Sequence, residues 1–294
     1  MKKERLVKLL ALCVIVLFIC MNVNPSLAVG NFKKYSMSVS NGNILYVGGS
    51  GPRNYTRIQD AIDNSTNGDT IFVYNGWYNE SIFINKSISV LGQHRDKTFI
   101  GLGSNKYTFV SIDNANNVEF KRFTIEQNKV FLDQGFYISY CSNCQIAENC
   151  IRNREEGIII YKSKSINISN NTIQNCTFGI KMSHTKATIE GNIIDGNNKG
   201  YGIEVYITEN INIIRRNIIK NNLYGINLNN ALFTIVMENN FFRNIGKPVV
   251  TGFSFLSIWF HNYWNRPHIL PMIIFGIPPG IDMRPALLPF DIGG

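Results

Sequence analysis

Between residues 70 and 260 the sequence lacks sustained helical periodicity, which excludes a helical bundle. It also lacks a dense cationic stretch. Net charge is +9, but Lys2, Lys3, Arg5 and Lys8 against Glu4 supply +3 of it, and the remaining 25 basic and 19 acidic residues leave +6. That balance excludes the basic face of a nucleic-acid binder. A dinucleotide fingerprint is missing as well. "GGSGP" stands between a strand-like run and a short helix, but it lacks the G-x-G-x-x-G spacing and no βαβ unit follows.

Long apolar runs are scarce. "LLALCVIVLFICM", residues 9–21, has 13 residues, short of the about 20 that a spanning helix needs. With basic "MKKERLVK" before it and "PSLAVG" after it, it reads as an export signal cut after Ala28. A membrane partner is expected only if that segment stays uncleaved. Cysteine is scarce too. Cys13 and Cys20 leave with the signal, and Cys141, Cys144, Cys150 and Cys176 remain. Disulfides are permitted outside the cell, but spacing does not decide their connectivity. "CSNCQIAENC" contains half of a zinc motif. Its register puts Cys144 at an inward position, where cysteine acts as a small hydrophobe, so no metal site and no cofactor are expected.

What the sequence has in quantity is asparagine, at a fixed period. "NCIRN", "NTIQN", "NIIDGN", "NIIKN" and "NFFRN" begin at Asn149, Asn171, Asn192, Asn217 and Asn240, spaced by 22, 21, 25 and 23 residues. Gly135-Phe136, Gly157-Ile158, Gly179-Ile180, Gly202-Ile203 and Gly225-Ile226 run in phase with them. Two markers at one period define a repeat architecture. Within "SINISNNTIQNCTFGIKMSH", Ile166, Ile168, Ile173, Ile180 and Met182 alternate with polar residues, as half-buried strands do. About 22 residues accommodate three short strands and three turns, stacked about 4.8 Å apart. The fold class expected is all-β: a single-stranded right-handed parallel β-helix, with a short N-terminal capping helix and an irregular Pro-rich C-terminal segment. The asparagines then have a structural role. They tolerate the left-handed conformation that a sharp turn needs, and when stacked their amides satisfy one another.

The domain organisation expected is a signal at 1–28, a lead-in and N-terminal cap at 29–69, the β-helix at 70–262 and a C-terminal cap and tail at 263–294. Ile58, Ala61 and Ile62 give the capping helix its apolar face. Trp259, Phe260, Tyr263 and Trp264 are placed to close the other end of the core.

These residues carry a resemblance. "YTRIQDAIDNSTNGDTIFVYNGWYNESIFINKSISVLGQ", the "N-x-I-x-N…GI" coils and "NYWNRP" resemble the pectin-lyase-like β-helix proteins, and within them the NosD-like branch. The resemblance implies an extracytoplasmic β-helix that handles carbohydrate, or copper in the NosD sense. For copper the four histidines, at 94, 184, 261 and 268, are too scattered.

In the resembled enzymes the working groove lies on the outer face of one strand stack. Here the strands after the Gly-Ile markers turn Tyr137, Tyr161, Lys181, Glu204, Tyr206, Asn227 and Asn229 outward, with Ser139, Ile159 and Ser183 among them and His184 at the edge. Aromatic faces suit sugar rings and the polar groups suit hydroxyls. Catalytic residues are not assigned. Hydrolysis of a glycoside needs two carboxylates across one bond, and this stack is expected to offer only Glu204, with Glu155-Glu156 in a turn. No acidic cluster for calcium accompanies Lys181 as a candidate base. The expected function is non-catalytic binding of a polysaccharide or cell-surface glycan by an exported protein. The alternatives are a polysaccharide lyase or hydrolase in the same groove, a structural surface or adhesion protein, and a copper-handling accessory protein. Seven N-x-S/T sequons fit an exported glycoprotein. Oligomeric state is left open.

Overall fold

The computed structural model describes residues 42–101, 108–126 and 133–292, all within one compact unit, Asn41–Gly294. The export-signal reading falls outside these residues. One coil shows how sequence becomes solenoid. Ile166–Ser169, Thr172–Gln174 and Phe178–Ser183 are three short strands separated by turns. Each pairs in parallel with its counterpart one period on: Ile168 with Ile189, Ile173 with Ile194, Ile180 with Ile203. Repetition yields three sheets of twelve, nine and nine strands, parallel except for a terminal hairpin. The protein is a parallel β-helix. Its interior is aliphatic: Ile146, Ile168, Ile189 and Ile214 form one column, each with no exposed surface.

The helix Ile58–Asn64 buries Ile58, Ala61 and Ile62 against the first coil. Both of its ends are satisfied from that coil. Glu80 accepts the N–H groups of Ile58 and Gln59 at 2.7 and 2.9 Å. Lys86 donates to the carbonyls of Ile62, Asp63 and Ser65 at 2.8–2.9 Å. An acid at the N-terminus and a base at the C-terminus also match the helix dipole. Ile44–Val47 pairs with Thr70–Val73, and Tyr263–Trp264 with Asn240 and Phe241. Paired strands therefore lie on both sides of the interval 70–262.

An asparagine ladder runs through Asn149, Asn171, Asn192, Asn217, Asn239 and Asn262, all at most 1% exposed. At each step the backbone N–H and the side-chain Nδ2 of one asparagine both donate to Oδ1 of the next, at 2.9–3.1 Å. Nδ2 also reaches a carbonyl of the preceding coil, as Asn192 does to Ile168 at 2.8 Å. A second, shorter ladder joins Asn197, Asn222 and Asn244. The long ladder ends on Asp282, which has no exposed surface. Asp282 Oδ2 accepts from the backbone N–H and Nδ2 of Asn262 and from Nε1 of Trp264, and Oδ1 accepts from the N–H groups of His261 and Arg284.

Two sequence expectations need correction here. In "ENNFFRN" the ladder residue is Asn239, not Asn240. Asn240 sits one residue on, in register with Ile218, and exchanges two hydrogen bonds with the Phe290 backbone. The doubled asparagine hid the register. The left-handed turn residue is also not the ladder asparagine but the residue before it: Glu148, Asn170, Gly191, Arg216, Glu238 and His261, with φ between 51° and 68°. Asparagine, glycine and histidine among these favour that conformation, and glutamate and arginine do not. The hydrogen bonds of the following amide hold the others there.

Candidate functional site

The third sheet, which contains Phe178–Ser183, has the longest strands, and its outer face carries three columns of side chains. In Glu156–Tyr161, strict alternation breaks at Gly157. Glu156 is half-buried, Gly157 and Ile158 are buried, and Ile159 and Tyr161 are again half-buried. The break has a steric cause. A Cβ on Gly157 would stand 2.5 Å from the carbonyl oxygen of Gly179 and 2.7 Å from Ile173 Cγ2. Only glycine lets the strand bend so close to its neighbours. The bend turns the residue before each glycine outward as well.

The first column is therefore Gln134, Glu156, Phe178, Tyr201 and Tyr224, which sequence reasoning missed. The second is Tyr137, Ile159, Lys181, Glu204 and Asn227. The third is Ser139, Tyr161, Ser183, Tyr206 and Asn229. Glu156 belongs to a strand, not to a turn, so Glu204 is not the sole carboxylate of this face. The signal was available: Glu156 stands directly before a marker glycine, as Gln134, Phe178, Tyr201 and Tyr224 do.

The polar residues form one connected line across successive coils. Gln134 Nε2 donates to Glu156 Oε2 at 3.1 Å. Lys181 Nζ lies 3.4 Å from Glu156 Oε1 and 4.0 Å from Glu204 Oε2. Asn227 Nδ2 donates to Glu204 Oε1 at 3.1 Å. Asn227 is only 7% exposed and Ser139 only 3%, so both are shielded within the face rather than open on it. Ser139 donates to Asp113 of the preceding coil.

Aromatic rings flank this line on both sides. Phe178 and Tyr201 are 6.0 Å apart by ring centroids, Tyr201 and Tyr224 5.3 Å, and Lys181 Nζ lies 5.1 Å from the Phe178 ring. On the other side Tyr161 packs edge-on to Tyr140 and His184 at 5.9 and 6.0 Å. Lys162 Nζ stands 5.0 Å from the Tyr161 ring, and the Tyr161 hydroxyl raises the pKa of that ammonium. Tyr206 is 41% exposed. Burial raises the phenol pKa of Tyr201, with Glu204 adding to it, and burial followed by Tyr161 does the same for Tyr137. These phenols are therefore neutral hydrogen-bonding groups at neutral pH.

Among the described residues no group of three or more His, Cys, Asp and Glu is placed to hold an ion. Cys141, Cys144, Cys150 and Cys176 are free and buried. Burial pushes the Cys176 thiol up to about 12 and raises Cys150 as well. The thiolate is the form that reacts or ligates, and at pH 8 it is about one part in ten thousand of a thiol titrating near 12. Iodoacetamide at pH 8 should therefore leave Cys150 and Cys176 unmodified in the native protein and modify both in denaturant. Rapid native labelling, read by peptide mass spectrometry, would contradict this burial.

The fold defines a parallel β-helix protein. More narrowly, the chain belongs to the NosD family, described as periplasmic copper-binding protein, whose model matches residues 62–278. Among the described residues the donors do not form the copper site that description implies: the cysteines are buried and the histidines dispersed. A cell surface glycoprotein of Methanothermus fervidus is 33% identical over 103 residues, 34% of this chain and 16% of that protein. Among solved structures, ORF18 of Geobacillus virus E2 is similar with a TM-score of 0.55 and 15% identity, over 70% of this chain and 50% of that one. DFA-IIIase from Arthrobacter chlorophenolicus A6 is similar with a TM-score of 0.52 and 10% identity, over 76% and 70%. The chain thus spans about a sixth of the curated relative and half of the viral protein. The two structures share its fold.

Proposed function

We propose that this is a cell-surface β-helix protein that binds a polysaccharide or surface glycan along the outer face of its third sheet, without catalysis. The surface location is supported by the name of the Methanothermus relative and by the family's periplasmic description. The observation that carries the binding reading is the line Glu156–Lys181–Glu204–Asn227 lying between two sets of aromatic rings. Rings beside a row of donors and acceptors match a sugar, whose faces are apolar and whose rim is hydroxylated. Columns repeat about every 4.8 Å along the stack, so the face suits an extended chain better than a single small molecule.

Tyr137, Tyr161, Lys181, Glu204, Tyr206, Asn227 and Asn229 form the proposed site, and Glu156, Tyr201 and Tyr224 join them. Tyr161→Ala combined with Tyr206→Ala should abolish binding on a glycan array. Two aromatic contacts at about 1 kcal/mol or more each lower affinity at least about tenfold. A double variant that binds every glycan as the parent does would refute this face.

A second reading is favoured by one feature. Glu156 and Glu204 place carboxylates on either side of Lys181, so a lyase or hydrolase in the same groove has acid and base groups at hand. Against it, Lys181 Nζ is ion-paired with both carboxylates, and an ammonium has no lone pair with which to take a proton. Product formation on uronate polymers, lost in Lys181→Ala, would replace the binding reading with this one.

A further inference from the structure

The seven N-x-S/T sequons begin at Asn54, Asn64, Asn79, Asn85, Asn167, Asn170 and Asn175. Transfer of an oligosaccharide to a sequon needs a free amide nitrogen and a free hydroxyl two residues on. At four of them the fold has used these groups. Asn54 Nδ2 donates to the Gly48 carbonyl at 2.5 Å. Asn64 Nδ2 donates to the Asp60 carbonyl at 2.8 Å, and the Thr66 hydroxyl donates to Asp69 at 3.0 Å. At Asn79 the side-chain oxygen accepts the Trp77 indole N–H, and the Ser81 hydroxyl donates to the Thr108 carbonyl at 2.9 Å. Asn167 lies mid-strand between Gln145 and Thr188, with its side-chain oxygen out of contact with solvent.

Asn170 and Asn175 differ. Both are exposed turn residues with φ of 55°, they bracket the strand Thr172–Gln174, and neither side chain makes a hydrogen bond among the described residues. The middle residues of these sequons, Asn171 and Cys176, are buried, so amide and hydroxyl share the outer side. One coil after Asn170 stands Gly191, and one coil after Asn175 stands Gly196. Every other left-handed residue of these two stacks carries a side chain. Conformation does not require the glycines, since Glu148, Arg216, Asn221 and Arg243 hold it at the same turns. A Cβ at residue 191 would stand 2.4 Å from Asn170 Oδ1, and one at residue 196 would stand 2.9 Å from Asn175 Oδ1. The glycines thus clear the space beside both sequon asparagines. Asn85 is exposed as well, but no glycine stands beside it.

We propose that Asn170 and Asn175 carry N-linked oligosaccharides. The inference rests on the surface location proposed above, because the donor, an oligosaccharide linked to a polyprenyl diphosphate, is met outside the cytoplasm. Nδ2 attacks the anomeric carbon of the sugar. The C–N bond forms as the bond from that carbon to the diphosphate oxygen breaks, the lipid diphosphate leaves, and the amide proton passes to a base of the transferase. The product is a bulky, hydrated group on two turns of one coil. Neither asparagine belongs to the outward columns of the third sheet.

The test is glycopeptide mass spectrometry of the full chain from its own cells, labelled intact beforehand with a membrane-impermeant biotin reagent. Electron-transfer fragmentation places each sugar on its residue. Asn170 and Asn175 should be glycosylated, and Asn54, Asn64, Asn79 and Asn167 bare. Thr172→Val should remove the glycan of Asn170 alone, although that asparagine is intact, and Thr172→Ser should keep it. A biotin-labelled chain that is bare at both asparagines overturns this inference and leaves the surface location standing. A chain neither labelled nor glycosylated overturns both. Sugar spread evenly over all seven sequons also overturns the inference, because the fold would then not select the sites.

Discussion

Asp282→Ala should lower stability by about 3–5 kcal/mol, more than any substitution on the outer faces. The reason is an acceptor count. Five donors converge on this carboxylate: the N–H groups of His261, Asn262 and Arg284, Nδ2 of Asn262 and Nε1 of Trp264. Alanine leaves them in a site without solvent, and each unsatisfied buried donor costs about 1–3 kcal/mol, partly relieved by local relaxation. For a chain of this size 1 kcal/mol shifts the melting temperature by about 2–4 °C, so a drop of roughly 10 °C is expected by calorimetry. Because each coil contacts only its neighbours, the loss should begin at the C-terminal end. Hydrogen exchange should accelerate around Tyr263 and Trp264 before it does around Ile166. Asp282→Asn keeps one acceptor oxygen and should lose less. An alanine variant that melts with the parent would show that the carboxylate does not close the ladder.

Asn192→Ala should cost a similar amount with a different pattern. Asn192 Oδ1 accepts the N–H and Nδ2 of Asn171, and Asn192 Nδ2 donates to Asn217 and Ile168. Removing the amide orphans groups in the coil before and the coil after. The expected loss is about 3–5 kcal/mol, read by chemical denaturation. In a one-dimensional stack a broken interior interface uncouples the two halves, so unfolding should become less cooperative. A sharp transition displaced by less than about 1 kcal/mol would mean that the amides are replaceable by packing.

The contrast between legible and hidden features follows from which physical rules are local. Inward alternation is local, so Ile166, Ile168, Ile173, Ile180 and Met182 could be read from the sequence and all are buried. The period was legible because two residue types marked it. The choice between Asn239 and Asn240 was not, because both fit the spacing and only the three-dimensional register separates them. Glu156 was hidden for another reason. Counting by twos from Ile158 makes it an inward or turn residue, while the close approach of successive coils at Gly157 bends the strand and turns it outward. Asp282 gave no signal at all: its role depends on a residue 20 positions away donating to it.

The solenoid rests on side-chain amides stacked out of contact with water. Their own hydrogen exchange tests this most directly, in isotope-labelled protein with the Nδ2 resonances assigned. The Nδ2 hydrogens of Asn171, Asn192 and Asn217 should exchange at least about a thousandfold slower than those of exposed Asn170 and Asn175, because only opening of the coil releases them. Equal, fast exchange in both sets would place the ladder amides in water and contradict the stacked solenoid described above.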